Sequence, residues 1–231
     1  HIRRLNMSAF ASRLGLAALF APVLLAVSVT AQAHQAGDII VRAGAVTVDP
    51  KEDSSRVKVG GAPQAGTAAT LNSDTQLGLN LAYMLSDNWA VEVLAATPFE
   101  HDIGTKGLGG LELGSTKHLP PTISVLYYPM ASSSAFQPYA GLGINYTWMF
   151  DDKLSSEAEA AGFSGLDLDD SWGLAAQLGM DYMLSDKVML NAQIRYIDIE
   201  TTGTTYAGPT KVSVDVDIDP LVYMVGLGYK F

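Results

Sequence analysis

The chain of 231 residues contains no cysteine, which excludes disulfides and thiolate-held metal centres and suits a protein that must be exported unfolded. It is also short of positive charge, with 14 Lys and Arg against 24 Asp and Glu. Arg3, Arg4 and Arg13 lie before residue 34 and no acidic residue does, so the rest carries 11 − 24 = −13. Such a surface repels nucleic acid, which is excluded as a partner. Beyond residue 33 no stretch reaches the ~18 consecutive apolar residues of a spanning helix.

What the sequence does have is apolar side chains, 48% of the total. From Leu14 to Val29 they form an uncharged run, preceded by Arg13 and followed by Ala31-Gln32-Ala33. This reads as a secretory signal peptide cleaved before His34, with residues 1–6 ahead of Met7 as an upstream extension. A retained membrane helix is the competing reading, disfavoured by Pro22 and the A-x-A site. The expected organisation is therefore a signal at 1–33 and one domain at 34–231. An exported, apolar chain without spanning helices hides its apolar surface by presenting one face of each strand to lipid.

The segment Leu221–Phe231 shows this pattern most clearly, with Leu221, Tyr223, Val225, Leu227, Tyr229 and Phe231 on one face and Gly226 and Gly228 on the other. An unpaired strand edge is costly in lipid, so this strand must close a barrel with the first one. Eight alternating segments have about the length of a tilted spanning strand, roughly 9 to 11 residues. They lie near Ile39–Val48, Thr75–Leu85, Trp89–Thr97, Thr122–Tyr128, Tyr139–Phe150, Ser171–Leu184, Val188–Glu200 and Val212–Phe231. Their connections alternate long and short, beginning long. The expected fold is all-β: an eight-stranded antiparallel transmembrane β-barrel of outer-membrane type, with short periplasmic turns and long extracellular loops.

Period-two parity assigns the faces. Leu77, Leu79, Leu81, Tyr83 and Leu85 point to lipid, and so do Trp172, Leu174, Leu178 and Tyr182. Facing inward are Arg42, Gln76, Asn80, Glu92, Gln177, Asp181, Asn191, Gln193 and Arg195, a candidate polar lumen. Near the outer ends of the last two strands the parity changes meaning. Asp198, Glu200, Asp215, Asp217 and Asp219 take the outward positions, while Ile197, Ile199, Val212, Val214, Val216 and Ile218 point in. These strands are expected to project above the bilayer with a wet exterior and an apolar interior, unless Pro220 marks a bulge that resets the register.

With the strands placed, the sequence resembles the OmpW family of eight-stranded outer-membrane proteins. The match is carried by Leu85-Ser86-Asp87-Asn88-Trp89, Pro98-Phe99, the run Pro138 to Tyr146, Ile197-Asp198-Ile199, Val216-Asp217-Ile218-Asp219-Pro220 and Gly228-Tyr229-Lys230-Phe231. The ending also resembles the C-terminal motif by which bacterial outer-membrane barrels are recognised for insertion: Gly226, Tyr229 and Phe231 fit, whereas Met224 stands where a polar residue is usual. The resemblance implies a bacterial outer-membrane location and a narrow barrel with a hydrophobic extracellular half. It further implies passage of small, often hydrophobic, molecules and an opening from lumen to lipid. Expected partners are outer-membrane lipid and lipopolysaccharide, small-molecule solutes and, through Phe231, the barrel-insertion machinery.

Three readings follow. The six aliphatic residues can form an apolar vestibule for small hydrophobic solutes, or can simply pack together. Pro98, Pro120 and Pro121 lack ladder donors and can mark a lateral opening, or can only end strands. The polar lumen can pass small polar solutes such as small amino acids, or can be a self-satisfied structural network. A structural envelope role competes with both transport readings. The acidic outer face can attract Ca²⁺ or Mg²⁺ but more often such a run is solvated, and no metal or cofactor is expected. Catalysis is not expected either: His101 and His118 share the second long loop with Ser115, and its many glycines suggest mobility rather than a held geometry.

Overall fold

A computed structural model describes residues 33–231. The expected signal segment, Ala33 apart, lies outside the described residues. In chain order the elements are β1 (Ile39–Asp49), β2 (Asp53–Ser54), β3 (Lys58–Val59), β4 (Ala62–Pro63), β5 (Ala68–Leu71), β6 (Asp74–Met84), β7 (Trp89–Ala96), β8 (Phe99–Lys106) and β9 (Glu112–Leu119). They continue with β10 (Thr122–Tyr127), β11 (Phe136–Leu154), the short helix α1 (Ser156–Ala160), β12 (Phe163–Leu168), β13 (Ser171–Met183), β14 (Val188–Ile197), β15 (Glu200–Ala207), β16 (Thr210–Asp217) and β17 (Leu221–Lys230).

Eight of these strands close a ring in the order β1, β6, β7, β10, β11, β13, β14, β17 and back to β1, every pair antiparallel. Closure leaves no unpaired edge in hydrocarbon. The outward positions are apolar and exposed, among them Leu77, Leu81, Leu142, Trp172, Leu174 and Val225. At the closing seam Gly44 of β1 stands opposite both Gly78 of β6 and Gly226 of β17. A Cβ on Gly44 would overlap the Val225 carbonyl, and one on Gly226 would overlap that of Ala43. Only glycine lets the first and last strands approach so closely.

The long connections are not open loops. Four of the expected strands, and the loops they adjoin, are divided or extended differently from the sequence expectation. The segment Val212–Phe231 forms β16 and β17 with Ile218–Pro220 between them. Asp219 there takes φ 39°, and its side chain accepts the Ile199 N–H at 3.3 Å. Val188–Glu200 is broken likewise after Ile197. The expected third and fourth strands are extended beyond Pro98 and Pro120-Pro121 by β8 and β9, which form a hairpin where a mobile loop was expected. Proline interrupts the ladder because it has no N–H, and the breaks at Pro98, at Pro120-Pro121 and at Pro220 fall on one, whereas the break after Ile197 does not. Parity survives these breaks: Val212, Val216, Ile218, Pro220, Val222 and Met224 are all buried, so Pro220 does not reset the register.

Three layers fill the barrel. At the short-turn, periplasmic end Ile40, Met84, Leu126, Tyr128, Tyr139, Met183 and Met189 pack together. At the other end Val46, Val48, Phe99, Ile103, Met149, Leu168, Ile197, Ile199, Val216 and Ile218 form a second apolar cluster. Between them lies a layer of charged and amide side chains.

Candidate functional site

The middle layer is assembled by parity from five strands. Arg42 (β1), Asn80 (β6), Glu92 (β7), Gln177 and Asp181 (β13), and Asn191, Gln193 and Arg195 (β14) are all buried. Glu92 accepts from Arg42 Nη1 at 3.1 Å, Asn80 at 3.2 Å, Gln177 at 3.0 Å and Arg195 Nη2 at 2.7 Å. Asp181 accepts from Arg42 Nε at 2.9 Å and Nη2 at 2.6 Å, and from Asn191 at 2.8 Å. Two guanidiniums thus face two carboxylates, and each carboxylate oxygen has a partner. Buried charges require such pairing because their hydration is lost. Arg42, Glu92 and Asp181 have no accessible surface, so water does not reach these three side chains.

Three members of the layer were not found from the sequence. His34 Nε2 lies 2.9 Å from Asp181. Tyr128 accepts from Arg42 at 2.8 Å and Tyr139 from Asn191 at 3.0 Å, and the Arg42 guanidinium sits 5.4 Å from the Tyr139 ring centre. Continuing the β11 alternation back from Asn145 would have turned Tyr139 inward. Gln76, in contrast, does not join its expected neighbours. It is half-buried at the outer end of β6, bonded to Asp74 at 2.9 Å and to Thr97 at 3.0 Å.

Above this layer Ile197, Ile199, Val212, Val216 and Ile218 are buried, and Val214 packs against them half-buried. Their outward neighbours Glu200, Asp215 and Asp217 are exposed. The hydrogen bond from Lys58 at 2.6 Å holds the Asp215 carboxyl below its usual range. Part of the acidic third loop is likewise engaged, where a solvated face was expected. Asp152 accepts from Thr116 at 2.5 Å and from the Leu168 N–H at 2.9 Å, and Asp170 from the Met149 N–H at 2.8 Å. These bonds draw β12 over the mouth, where Leu166 and Leu168 help to line a cavity of about 40 Å³ with Leu71, Ile103, Leu113 and Val216. A second, of about 10 Å³, lies among Val48, His118, Met149, Ile199 and Ile218.

Pro98, Pro120 and Pro121 fall at one place in the wall. Below it Leu94 pairs with Thr122, and above it Phe99 pairs with His118, so the register slips by one residue. Among the described residues no backbone pair joins 95–98 to 119–121. His101 and His118 stand just above this interruption, stacked with ring centres 4.8 Å apart. Burial lowers the His101 pKa and pushes that of His118 down to about 3. The rings are held rather than mobile, but among the described residues neither bonds to Ser115 or to a carboxylate.

Comparison with known proteins places this architecture. A family model described as the OmpW family matches residues 35–231. Outer membrane protein W of Vibrio cholerae is 52% identical over 202 residues, covering 86% of this chain and 91% of the relative. Outer membrane protein W of Escherichia coli is 42% identical over 219 residues, with 95% and 99% covered. The crystal structure of OprG from Pseudomonas aeruginosa is 53% identical and superposes with a TM-score of 0.84 over 87% of this chain and 98% of that one.

Proposed function

The chain belongs to the OmpW family of outer-membrane barrels, and from that premise we propose that it is a passive channel for small hydrophobic solutes. The solute enters the apolar outer layer and leaves through the wall at Pro98, Pro120 and Pro121. One observation carries the reading: an apolar compartment sits directly on a dry, charge-balanced layer, and the wall beside it is unpaired. Ile197, Ile199, Val212, Val214, Val216 and Ile218 remove apolar surface from water at about 25 cal/mol per Å². The layer below opposes passage down the barrel axis, because a solute there would have to separate paired buried charges. Where proline removes ladder donors, a lateral exit breaks fewer hydrogen bonds.

A narrow path for small polar solutes is the second reading, favoured by the presence of both charge signs at Arg42, Glu92, Asp181 and Arg195. Arg42, Glu92 and Asp181 are already engaged with one another or with Arg195, of which only Nη1 is buried without a hydrogen-bond partner, and this pairing supports the hydrophobic route instead. In this scheme the lipid-facing surface meets outer-membrane lipid and lipopolysaccharide, cleavage before His34 leaves that residue beside Asp181, and Phe231 is the handle for the insertion machinery.

The test is uptake into liposomes holding the purified barrel, comparing a small apolar solute with a zwitterion of similar size against protein-free vesicles. Protein-dependent entry of the apolar solute, slowed when Pro120 and Pro121 are both replaced by alanine, is expected. Entry of the zwitterion alone would move the route to the polar layer. Entry of neither would leave a structural role in the envelope.

A further inference from the structure

The outer hairpin carries a group of side chains that transport does not use. His101 on β8, His118 on β9 and Met149 on β11 occupy three neighbouring strands, with Met149 directly opposite His118. Their exposures are 3%, 5% and 6%, and all three line the same cavity of about 10 Å³. That volume suits one occupant of about the size of a water molecule, not a solute. The Nε2 atoms of both imidazoles are buried without a hydrogen-bond partner. Two unpartnered nitrogens in one apolar recess are a cost that an occupant would remove.

The details favour a metal ion as that occupant. His101 Nδ1 lies 2.6 Å from the Asn72 carbonyl oxygen, so this nitrogen carries the proton and Nε2 presents a lone pair. A ring N–H given to a backbone carbonyl is the usual support of a metal-binding imidazole. With metal–nitrogen bonds of about 2.0–2.1 Å and each ring centre about 1.1 Å behind its nitrogen, two imidazoles at a tetrahedral angle on one ion have centres about 5 Å apart. The observed separation is 4.8 Å. The rings now lie at 11° to each other, so one must turn about its χ2 to share an ion. No hydrogen bond among the described residues fixes the His118 ring, but it is packed between His101 and Phe99, the latter 5.4 Å away, so its turn requires Phe99 to shift with it.

We propose that His101 Nε2, His118 Nε2 and the Met149 thioether form a binding site for a soft monovalent cation of the Cu(I) type. The donors are neutral nitrogen and sulfur, a set that selects soft ions, whereas hard divalent ions require oxygen donors that this recess does not converge. A single charge also carries a smaller desolvation cost than a double one. The carboxylate of Asp74 acts electrostatically on both rings and would offset that charge. The site is independent of the channel reading, since it needs no solute to move.

The experiment uses the folded barrel in lipid or detergent, with ascorbate, Cu(I) as the probe and a coloured Cu(I) chelator as competitor. One equivalent of Cu(I) per chain is expected, with the Nε2 resonances of both histidines shifting in ¹⁵N spectra of the unaltered protein. His101→Phe and His118→Phe should each weaken binding by about 100-fold, and Met149→Leu by about 10-fold, while heat-modifiable gel mobility confirms a folded barrel. Failure of the unaltered protein to bind one equivalent would overturn the proposal, a water molecule then being the better occupant. So would undiminished binding by the His101→Phe/His118→Phe double variant, or Zn(II) binding as tight as Cu(I).

Discussion

The middle and outer layers of this barrel are built by the same wall and the same alternation, yet they hold opposite chemistry. In the middle, Glu92 and Asp181 are each engaged by several donors, and every bond has a direction. Such a layer has one low-energy arrangement, since moving one guanidinium strands a buried charge. In the outer layer Ile197, Ile199, Val216 and Ile218 meet Val48, Phe99 and Leu168 through contacts without direction. Such contacts can be exchanged for those of another apolar molecule at little cost, and two small cavities already interrupt them. The contrast teaches that the layer able to admit a solute is the one whose cohesion is not directional.

The comparison can be broken most forcefully at Glu92. Glu92→Ala leaves Arg42 and Arg195 short of a partner and should cost about 3–5 kcal/mol in urea unfolding of the barrel in vesicles. A loss below 1 kcal/mol would mean that the middle layer is not held by its charges. Ile199→Ala in the outer layer should cost about 2–4 kcal/mol. That loss is expected as faster amide exchange in β15 and β16, with exchange in β1 and β17 unchanged. Equal acceleration throughout would show that the two layers unfold as one.

Acid separates the layers next. His118 is held down to about 3 and His101 is also lowered, against an ordinary value of 6.5. Below pH 6.5 the unfolded chain therefore binds more protons than the folded one, and stability falls as pH falls from there towards 3; above 6.5 these groups contribute no slope. The outer hairpin should show lower amide protection factors, corrected for intrinsic exchange, at pH 4.5 than at pH 7, and His118→Phe should reduce that dependence. The smallest effect is expected at Lys58 and Asp215, an ion pair half in solvent. Lys58→Met should leave the unfolding midpoint unchanged in 0.15 M salt, where screening removes most of an exposed pair's attraction.

Much of this was legible because a barrel wall forces a strict alternation. Arg42, Glu92, Asp181 and Arg195 stand out as charges flanked on both sides by apolar or aromatic residues, and all four meet in the middle layer. Ile199 and Val216 were likewise placed inward by parity alone. Alternation does not report where a strand breaks, however, and β16 and β17 read as one segment across Pro220. Nor does it report height along the barrel, which is why Gln76, on the inward side of β6, was grouped with a layer it does not reach. Tyr128 and Tyr139 lie near strand ends, where an aromatic ring ordinarily marks the membrane interface. His34 has no strand around it to give it a face. The glycines of the second loop suggested mobility, but Gly107, Gly109 and Gly110 adopt φ of 73–77° and turn the β8–β9 hairpin instead.

The contact between Gly44 and Gly226 joins positions at opposite ends of the sequence. Pairings so far apart along a chain are late in assembly, because the entropy of closing the intervening loop must be lost first. Arg42 sits two residues from that seam and reaches Asp181 and Glu92 on strands elsewhere in the wall. Until the two glycines meet, Arg42 can reach Glu92 within the β1–β6–β7 part of the wall but is not yet held against Asp181, which lies across the seam on β13. Closing the wall therefore also completes the pairing of Arg42 with Asp181: the zipper of the wall is also the lock on that pair of charges. A Gly226→Ala chain should stall as an inserted but open sheet, recognisable by a charged interior that water and protease can still reach.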